Sequence, residues 1–326
     1  MEQPFKVHVH GIADFSRQIP DLLRANGWQV RNHDLRRGTA LLEKTSDLAK
    51  CDLAFTYGGR VTIGKFLAAA RLLGKDKLVM FWAGSDVLYA RDHVAQGGTV
   101  SRWIAERIHW ASSPWIAEEV RALGISCEYV PFNWAPAVPK PSPLPERFSV
   151  LTYLPDASRA SLYGVHQILE VARALPRTSF VLVGLRQGRL AQVPPNVEVH
   201  GWAADLTPFY ERAVALWRPV QHDGMSFMVL ASLAHGRHVI YSYPFPGCVQ
   251  ATSAGAARLE LERLREQHAA GQLKLNEPGR RIAEGEFHPK AIRAEVLRRW
   301  KAIIDEHPSE AGQQCGVREG SGSLSV

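Results

Sequence analysis

Short β-branched or aromatic runs that stop at a glycine recur along this chain, and each leads into a segment of helical length. Phe5-Lys6-Val7-His8-Val9-His10 stops at Gly11; residues 14–26 read as a helix closed by Gly27, and Trp28-Gln29-Val30-Arg31 as the next strand. Cys51-Asp52-Leu53-Ala54-Phe55-Thr56-Tyr57 stops at Gly58-Gly59. A helix over 64–73 follows, then Lys77-Leu78-Val79-Met80-Phe81-Trp82, which ends at Ala83-Gly84-Ser85-Asp86. Strand, helix and strand at this spacing build a parallel α/β sheet. Ligands of such sheets bind outside the carboxyl ends of the strands, so His10, Tyr57, Arg60 and Asp86 are candidates for one cleft. The Gly11 turn lacks the G-x-G-x-x-G pattern, which excludes that dinucleotide fingerprint.

The length of 326 residues suits about two domains. Pro136, Pro139, Pro141, Pro143 and Pro145 crowd one stretch, and a proline-rich segment is stiff and extended, as an interdomain linker needs. The expected division is therefore a Rossmann-like domain over 1–138, a linker over 139–147 and a second Rossmann-like domain over 148–286. A C-terminal helix over 287–308 follows. Ile292, Val296, Trp300, Ile303 and Ile304 repeat along it at helical spacing, so it can cross back onto the first domain. Residues 309–326, rich in Ser, Gly and Gln, read as a disordered tail.

The formal net charge is +7, spread over both halves. That excess fits an anionic substrate or peripheral contact with an anionic membrane. Nucleic acid is not expected, because no basic cluster or binding motif accompanies the charge. Cys51, Cys127, Cys248 and Cys315 form no C-x-x-C pair, so neither a zinc site nor a disulfide framework is indicated. No apolar run reaches the ~18 residues of a membrane span, and the first residues lack a signal-peptide pattern. A cytoplasmic protein, peripheral at most at the inner membrane face, is the expectation. Trp103, Trp110 and Trp115 fit either core packing or a lipid-facing stripe.

The most informative stretch runs from Gln221 to Ile240 and reads as loop, helix, turn and strand. Gly224 lets a ligand approach the backbone, and Ser226 is placed to cap the helix. Met225 and Phe227 complete the turn. The free N–H groups of the first helical turn suit a phosphate or pyrophosphate. Ala231 follows Asp223 by eight residues, a span of roughly 12 Å if helical, about the reach of a nucleotide diphosphate.

This stretch resembles the donor-binding signature of GT-B glycosyltransferases, especially the retaining family 4 enzymes, whose frame is Glu-Gly-Phe-Gly-Leu-Pro-Val-Leu-Glu-Ala. Asp223 takes the first acidic position, and Gly224, Val229 and Leu230 match. Ala231 takes the second, where the family's Glu grips the ribose hydroxyls. Gly84-Ser85-Asp86 resembles the Gly-Ser/Thr-Asp turn of the family's acceptor domain; the plain structural alternative for Asp86 is a helix cap. The run from Ile108 to Pro131 resembles the strand, Ser, helix, Gly and strand that close that domain, with Ser113 as cap and Pro114 at the first helical position. After the strand Phe148–Leu154 the family carries Gly-Arg and then Lys-Gly. Gly164 matches the last residue, Tyr163 stands in place of the Lys, and the resemblance makes Arg159 the replacement cation for the pyrophosphate, the plain alternative being a surface salt bridge. Phe180–Val183 ends at Gly184, as in the family, and Arg218-Pro219 leads into the donor loop. The continuous resemblance covers about residues 148–247.

The resemblance implies an α/β fold of two Rossmann-like domains facing across a cleft, the first receiving the acceptor and the second the nucleotide-sugar donor. It implies retaining transfer to an acceptor hydroxyl on a glycan, a lipid-linked compound or a small molecule. Asp223 would hold the donor sugar, with His222 assisting; Asp86 and His10 would serve the acceptor. Arg159, Gly164, Gly184, Gly224, Met225, Ser226, Phe227 and position 231 would bind the donor. No Asp-x-Asp pair occurs in the chain. Metal-independent chemistry with no cofactor is therefore expected, a UDP- or GDP-sugar being the co-substrate. The alternative is a GT-B protein, degenerate or inactivated at Ala231, that binds a nucleotide or sugar without transfer.

Overall fold

The computed structural model describes residues 5–11, 18–34, 41–132, 140 and 142–305. It is an α/β protein with two parallel six-stranded sheets and helices interleaved along the chain. The first sheet contains β1 (Lys6–Gly11), β2 (Gln29–Asp34), β3 (Leu53–Tyr57), β4 (Leu78–Trp82), β5 (Ile108–Ala111) and β6 (Glu128–Tyr129), in the order β2-β1-β3-β4-β5-β6. The second contains β7 (Ser149–Tyr153), β8 (Ser179–Val183), β9 (Val197–Gly201), β10 (Ala215–Arg218), β11 (His238–Tyr241) and β12 (Val249–Gln250), in the order β12-β11-β10-β7-β8-β9. Each order reverses beside its first strand, between β1 and β3 and between β7 and β10. Such switch points open a crevice at the strand carboxyl ends. Gly11, next to His10, and Tyr57 end the strands at one of them; Tyr153 and Arg218 end the strands at the other.

Parallel strands covered on both faces read as unbroken apolar runs rather than alternating ones. β4 is the plainest case, with every residue from Leu78 to Trp82 buried. The chain divides into two compact units: Met1–Tyr57 with Ile63–Met80 and Ala294–Val326, and Gly58–Thr62 with Phe81–Arg293. Within the first, Trp300 is fully buried, its ring 5.3 Å from Phe55 and 6.2 Å from Trp28. Within the second, Val150, Ile168, Phe180, Leu182, Trp217 and Ile240 form one core, and Trp82, Val87, Ile116 and Val120 another.

Several elements differ from expectation. The helix expected over 14–26 is described as Gln18–Arg24, its start lying outside the described residues, and β2 runs three residues beyond Arg31 to Asp34. The helix before β5 is a single turn, Arg102–Ala105, because Ile108 and His109 already pair in β5. The helices Leu41–Lys50 and Glu277–Glu284 were not legible; the second is capped by Asn276, whose side chain accepts from the Gly279 N–H at 3.0 Å. Of the proline-rich segment, Pro136, Pro139 and Pro141 lie outside the described residues, as does the tail 309–326. Ser142 and Pro143 are held by the fully buried Arg237, whose guanidinium donates to Ser142 Oγ (2.6 Å), the Pro143 carbonyl (3.1 Å) and the Tyr210 carbonyl (2.9 Å). The three tryptophans form no lipid-facing stripe. Trp110 is buried in β5, Trp103 lies under the Arg107 guanidinium, and Trp115 stacks on Tyr243. Among the described residues no helix is long and apolar enough to cross a membrane.

Candidate functional site

The site grows from the carboxyl ends of β7 and β10. Arg218 is the last residue of β10 and is buried, which demands a partner for its charge. That partner is Asp223, whose Oδ2 lies 2.6 Å from Arg218 Nε and also accepts from the Tyr241 hydroxyl at 3.0 Å. Burial pulls the Arg218 pKa down, but Asp223 beside it raises it above its ordinary value, so the guanidinium is charged at every ordinary pH. Burial and the neighbouring carboxylate push the Tyr241 hydroxyl well above the ordinary tyrosine range, which keeps it a donor. Asp223 Oδ1 accepts no hydrogen bond among the described residues.

The Asp223 backbone is fixed as firmly as its side chain. Its carbonyl accepts from Trp115 Nε1 at 2.7 Å, and its N–H donates to the Tyr243 hydroxyl at 3.3 Å. Gly224 follows in a crevice that admits no side chain: a Cβ there would stand 1.9 Å from the Ala83 carbonyl oxygen and 2.7 Å from Ser112 Oγ. Met225 is buried. Ser226 caps the helix Phe227–Ala234, its Oγ accepting from the Val229 N–H at 3.4 Å, as the sequence predicts. Phe227 opens the helix and is partly exposed, whereas Ala231 is only 3% exposed.

Arg159 ends a short 3₁₀ turn, Ala157–Arg159, capped by the Asp156 side chain, which accepts from the Ser158 N–H at 2.8 Å. Its guanidinium lies 5.5 Å from the Tyr163 ring centre and donates to Ser85 Oγ at 3.2 Å. The Arg218 guanidinium lies 5.3 Å from the same ring and 5.8 Å from the Tyr153 ring. Gly164 is left-handed at φ 62°, and a Cβ on it would stand 1.9 Å from the Pro219 carbonyl oxygen, so only glycine brings Tyr163 this close to the donor loop. Gly184 makes room for the Tyr153 ring, 2.2 Å from where its Cβ would be. Trp202, exposed beyond β9, carries the Arg186 guanidinium over its ring at 4.8 Å.

Asp86 organises the turn after β4. Its carboxylate accepts from the N–H groups of Gly59 (2.7 Å), Ala83 (3.0 Å), Gly84 (2.7 Å) and Val87 (3.1 Å), at the start of the helix Ser85–Ala95. Burial raises its pKa more than these donors lower it. His222 is buried and turned to Glu119, with 3.0 Å between Nε2 and Oε2, and Glu119 also binds Arg91. Burial pushes the Glu119 carboxyl up, but the His222 and Arg91 contacts outweigh it and hold the carboxyl below its usual range. His10 belongs to the other compact unit, where it stacks on Phe66 at 4.1 Å.

The structure thus brings together Asp223, Gly224, Ser226, Arg159, Gly164 and the Asp86 turn. Sequence reasoning did not single out Arg218 or Tyr153, and it saw Tyr163 only as a missing lysine; the segment from Tyr241 to Gly247 reads in the sequence as a sugar-pocket lining or a turn, and the structure puts the Tyr241 hydroxyl on Asp223. A lone charge closing the apolar run Ala215-Leu216-Trp217 was the available signal for Arg218. Among the described residues no three His, Cys, Asp or Glu side chains are grouped to hold a metal ion.

No protein-family model and no curated protein matches the chain. Solved structures match it over nearly its whole length, and what they share with it is the fold, the two-sheet α/β arrangement called GT-B. Sucrose-phosphate synthase from Thermosynechococcus elongatus superposes with a TM-score of 0.68 at 13% identity, over 93% of this chain and 100% of that one. HepE from Anabaena, solved with UDP and glucose, gives 0.64 at 11% identity, over 92% and 100%. A glycosyltransferase from Rickettsia africae gives 0.65 at 11% identity, over 93% and 99%.

Proposed function

We propose that this chain is a glycosyltransferase that moves a sugar from a nucleotide-diphosphate donor to an acceptor hydroxyl, with retention and without a metal ion. The observation that carries the reading is the charge arrangement at the ends of β7 and β10. Two guanidinium groups, Arg159 and Arg218, flank the Tyr163 ring, and Arg218 pairs with the one carboxylate of the donor loop, Asp223, next to a serine-capped helix start. Arg218 is matched by Asp223, whereas Arg159 makes no ion pair among the described residues and is the cation offered to a diphosphate. Ser226 Oγ takes the Val229 N–H, and the N–H groups of Phe227 and Met228 carry no hydrogen bond among the described residues. They and Arg159 are the donors that meet charge as it develops on the leaving diphosphate. Asp223 Oδ1 is the acceptor for a hydroxyl of the donor sugar, and the departing phosphate takes the acceptor's proton on the same face. Asp86, its oxygens taken by backbone donors, shapes the turn. HepE, with UDP and glucose, favours a UDP-sugar within this reading.

A second reading, nucleotide binding without transfer, is favoured by one residue. Ala231 places a buried methyl group where the resemblance puts the ribose-gripping carboxylate. Calorimetry with UDP, GDP and ADP, followed by assay of the matching nucleotide sugars with and without EDTA, separates the two. A ligand at about 100 times its Kd stabilises the fold by roughly 2.7 kcal/mol. EDTA-insensitive release of nucleoside diphosphate supports transfer, and binding without any release moves the conclusion to the second reading. Failure to bind every nucleotide overturns both.

A further inference from the structure

Tyr163 stands where the resemblance expects a lysine, and the structure gives it a different task. Its ring lies within cation–π range of two guanidiniums, Arg159 at 5.5 Å and Arg218 at 5.3 Å. Tyr153 meets it edge-on at 5.7 Å and fixes its plane. The left-handed Gly164, closed against the Pro219 carbonyl, fixes its backbone. The two cations are not equivalent. Arg218 is buried and matched by Asp223. Arg159 is partly exposed and makes no ion pair among the described residues; its hydrogen bond is to a neutral hydroxyl, Ser85.

We infer that Tyr163 is a positioning residue: its ring, anchored by the Arg218–Asp223 pair, holds the Arg159 guanidinium in place for the diphosphate of a nucleotide ligand. The inference rests on the donor-site reading above and names how that site handles phosphate without a lysine. A free arginine side chain loses much rotamer entropy when it clamps a phosphate, and a stacked one has already lost it. Like-charge repulsion from Arg218 also disfavours collapse of Arg159 onto Asp223, so the guanidinium stays available to an anion. No hydrogen bond to the Tyr163 hydroxyl is found among the described residues, so the ring and not the oxygen does the positioning. An ammonium at 163 would stand beside two guanidiniums, so restoring the lysine weakens the site.

The test is calorimetry on the full chain with UDP, GDP, ADP, pyrophosphate and uridine, using Tyr163→Leu, Tyr163→Phe, Tyr163→Lys, Arg159→Gln and the Leu/Gln double variant. The expected result is a loss of about 5- to 20-fold in diphosphate and pyrophosphate affinity for Tyr163→Leu, none for uridine, and recovery in Tyr163→Phe. In the Arg159→Gln background the same leucine substitution costs less than about 2-fold, since the two residues act as one. A merely structural role for the ring would weaken uridine and diphosphate alike and add to Arg159→Gln. Either pattern, or tighter binding by Tyr163→Lys, overturns the positioning role while leaving the donor site standing. A wild-type chain that binds none of the phosphates overturns the donor-site reading itself.

Discussion

Arg218 Nε lies 2.6 Å from Asp223 Oδ2, and both side chains are withdrawn from solvent. The resemblance assigns Asp223 to the donor sugar, but here one of its oxygens is already spent on a buried arginine and a tyrosine hydroxyl. Arg218→Met leaves the carboxylate buried without its counter-charge, and loss of one partner of such a pair costs about 3–5 kcal/mol. Urea unfolding is expected to show that loss, and Arg218→Met/Asp223→Leu, which removes both charges, to recover at least half of it. A double variant no more stable than Arg218→Met would show that the pair itself is not what holds the loop.

This pair also shows what was legible in the sequence. The strand-to-glycine punctuation and the Ser226 and Ser113 caps are local chemistry, and local chemistry is written in adjacent residues; the close approach at Gly224, expected of a ligand, is made instead by the distant Ala83 and Ser112. The alternation of strands and helices carries the fold class in the same way. The site's wiring is not local. Trp115 reaches Asp223 and Glu119 reaches His222 across more than a hundred positions, and Tyr153 meets Arg218 only because the second sheet places β10 beside β7. Strand order is set by packing between distant segments, and one sequence does not print it.

The sequence leaves Asp86 as an acceptor-side group or a helix cap, and its four backbone donors make it the keystone of the turn. Asp86→Asn keeps the size but offers one acceptor oxygen, and turns an NH₂ group toward backbone N–H groups. Each buried donor left unsatisfied costs about 1–3 kcal/mol, so a total near 3 kcal/mol is expected. Denaturant melts check it. A variant of wild-type stability with abolished turnover would return Asp86 to the catalytic role.

Acid lability is expected from the histidines of β1 and β2. His8 is fully exposed to nothing but protein: it stacks on His33 at 4.7 Å and Phe66 at 5.6 Å, and neither ring nitrogen has a hydrogen-bond partner among the described residues. Burial first, then the positive charge of His33, His10, Lys44 and Lys75, lowers its pKa from 6.5 to about 3. Asp47, paired with His33 at 3.1 Å, is the acidic group beside this stack. Between those two pKa values the unfolded chain binds a proton that the fold refuses, so the stability present above pH 6.5 drains as pH falls toward 3. One such group contributes up to about 1.4 kcal/mol per pH unit. His8→Phe keeps a ring in the stack and cannot titrate, so its unfolding free energy should fall less steeply between pH 6.5 and 4.5. His109, lowered by burial to about 4, preserves part of the slope. Parallel slopes for the two proteins would remove His8 from the account.

Ala231→Glu decides how far the donor site follows the enzymes it resembles. The side chain enters a position only 3% exposed, in a helix turn whose Val229, Leu230 and Leu233 are also buried. A carboxylate placed there loses hydration and finds no partner in the free protein, so the ligand-free fold should lose about 1–3 kcal/mol. A ribose supplies two hydroxyl donors at the distance the eight-residue spacing sets, and bound nucleotide then satisfies the carboxylate. Nucleotide-dependent stabilisation should therefore exceed that of the wild-type chain, with affinity up by about 10-fold, the increment of one charge-assisted hydrogen bond. The effect should be present with UDP and absent with pyrophosphate, which carries no ribose. A destabilised variant with unchanged UDP affinity would mean that this face of the helix does not look onto the ligand, and the nucleotide would then have to lie along Arg159 and the Ser226-capped turn without reaching residue 231.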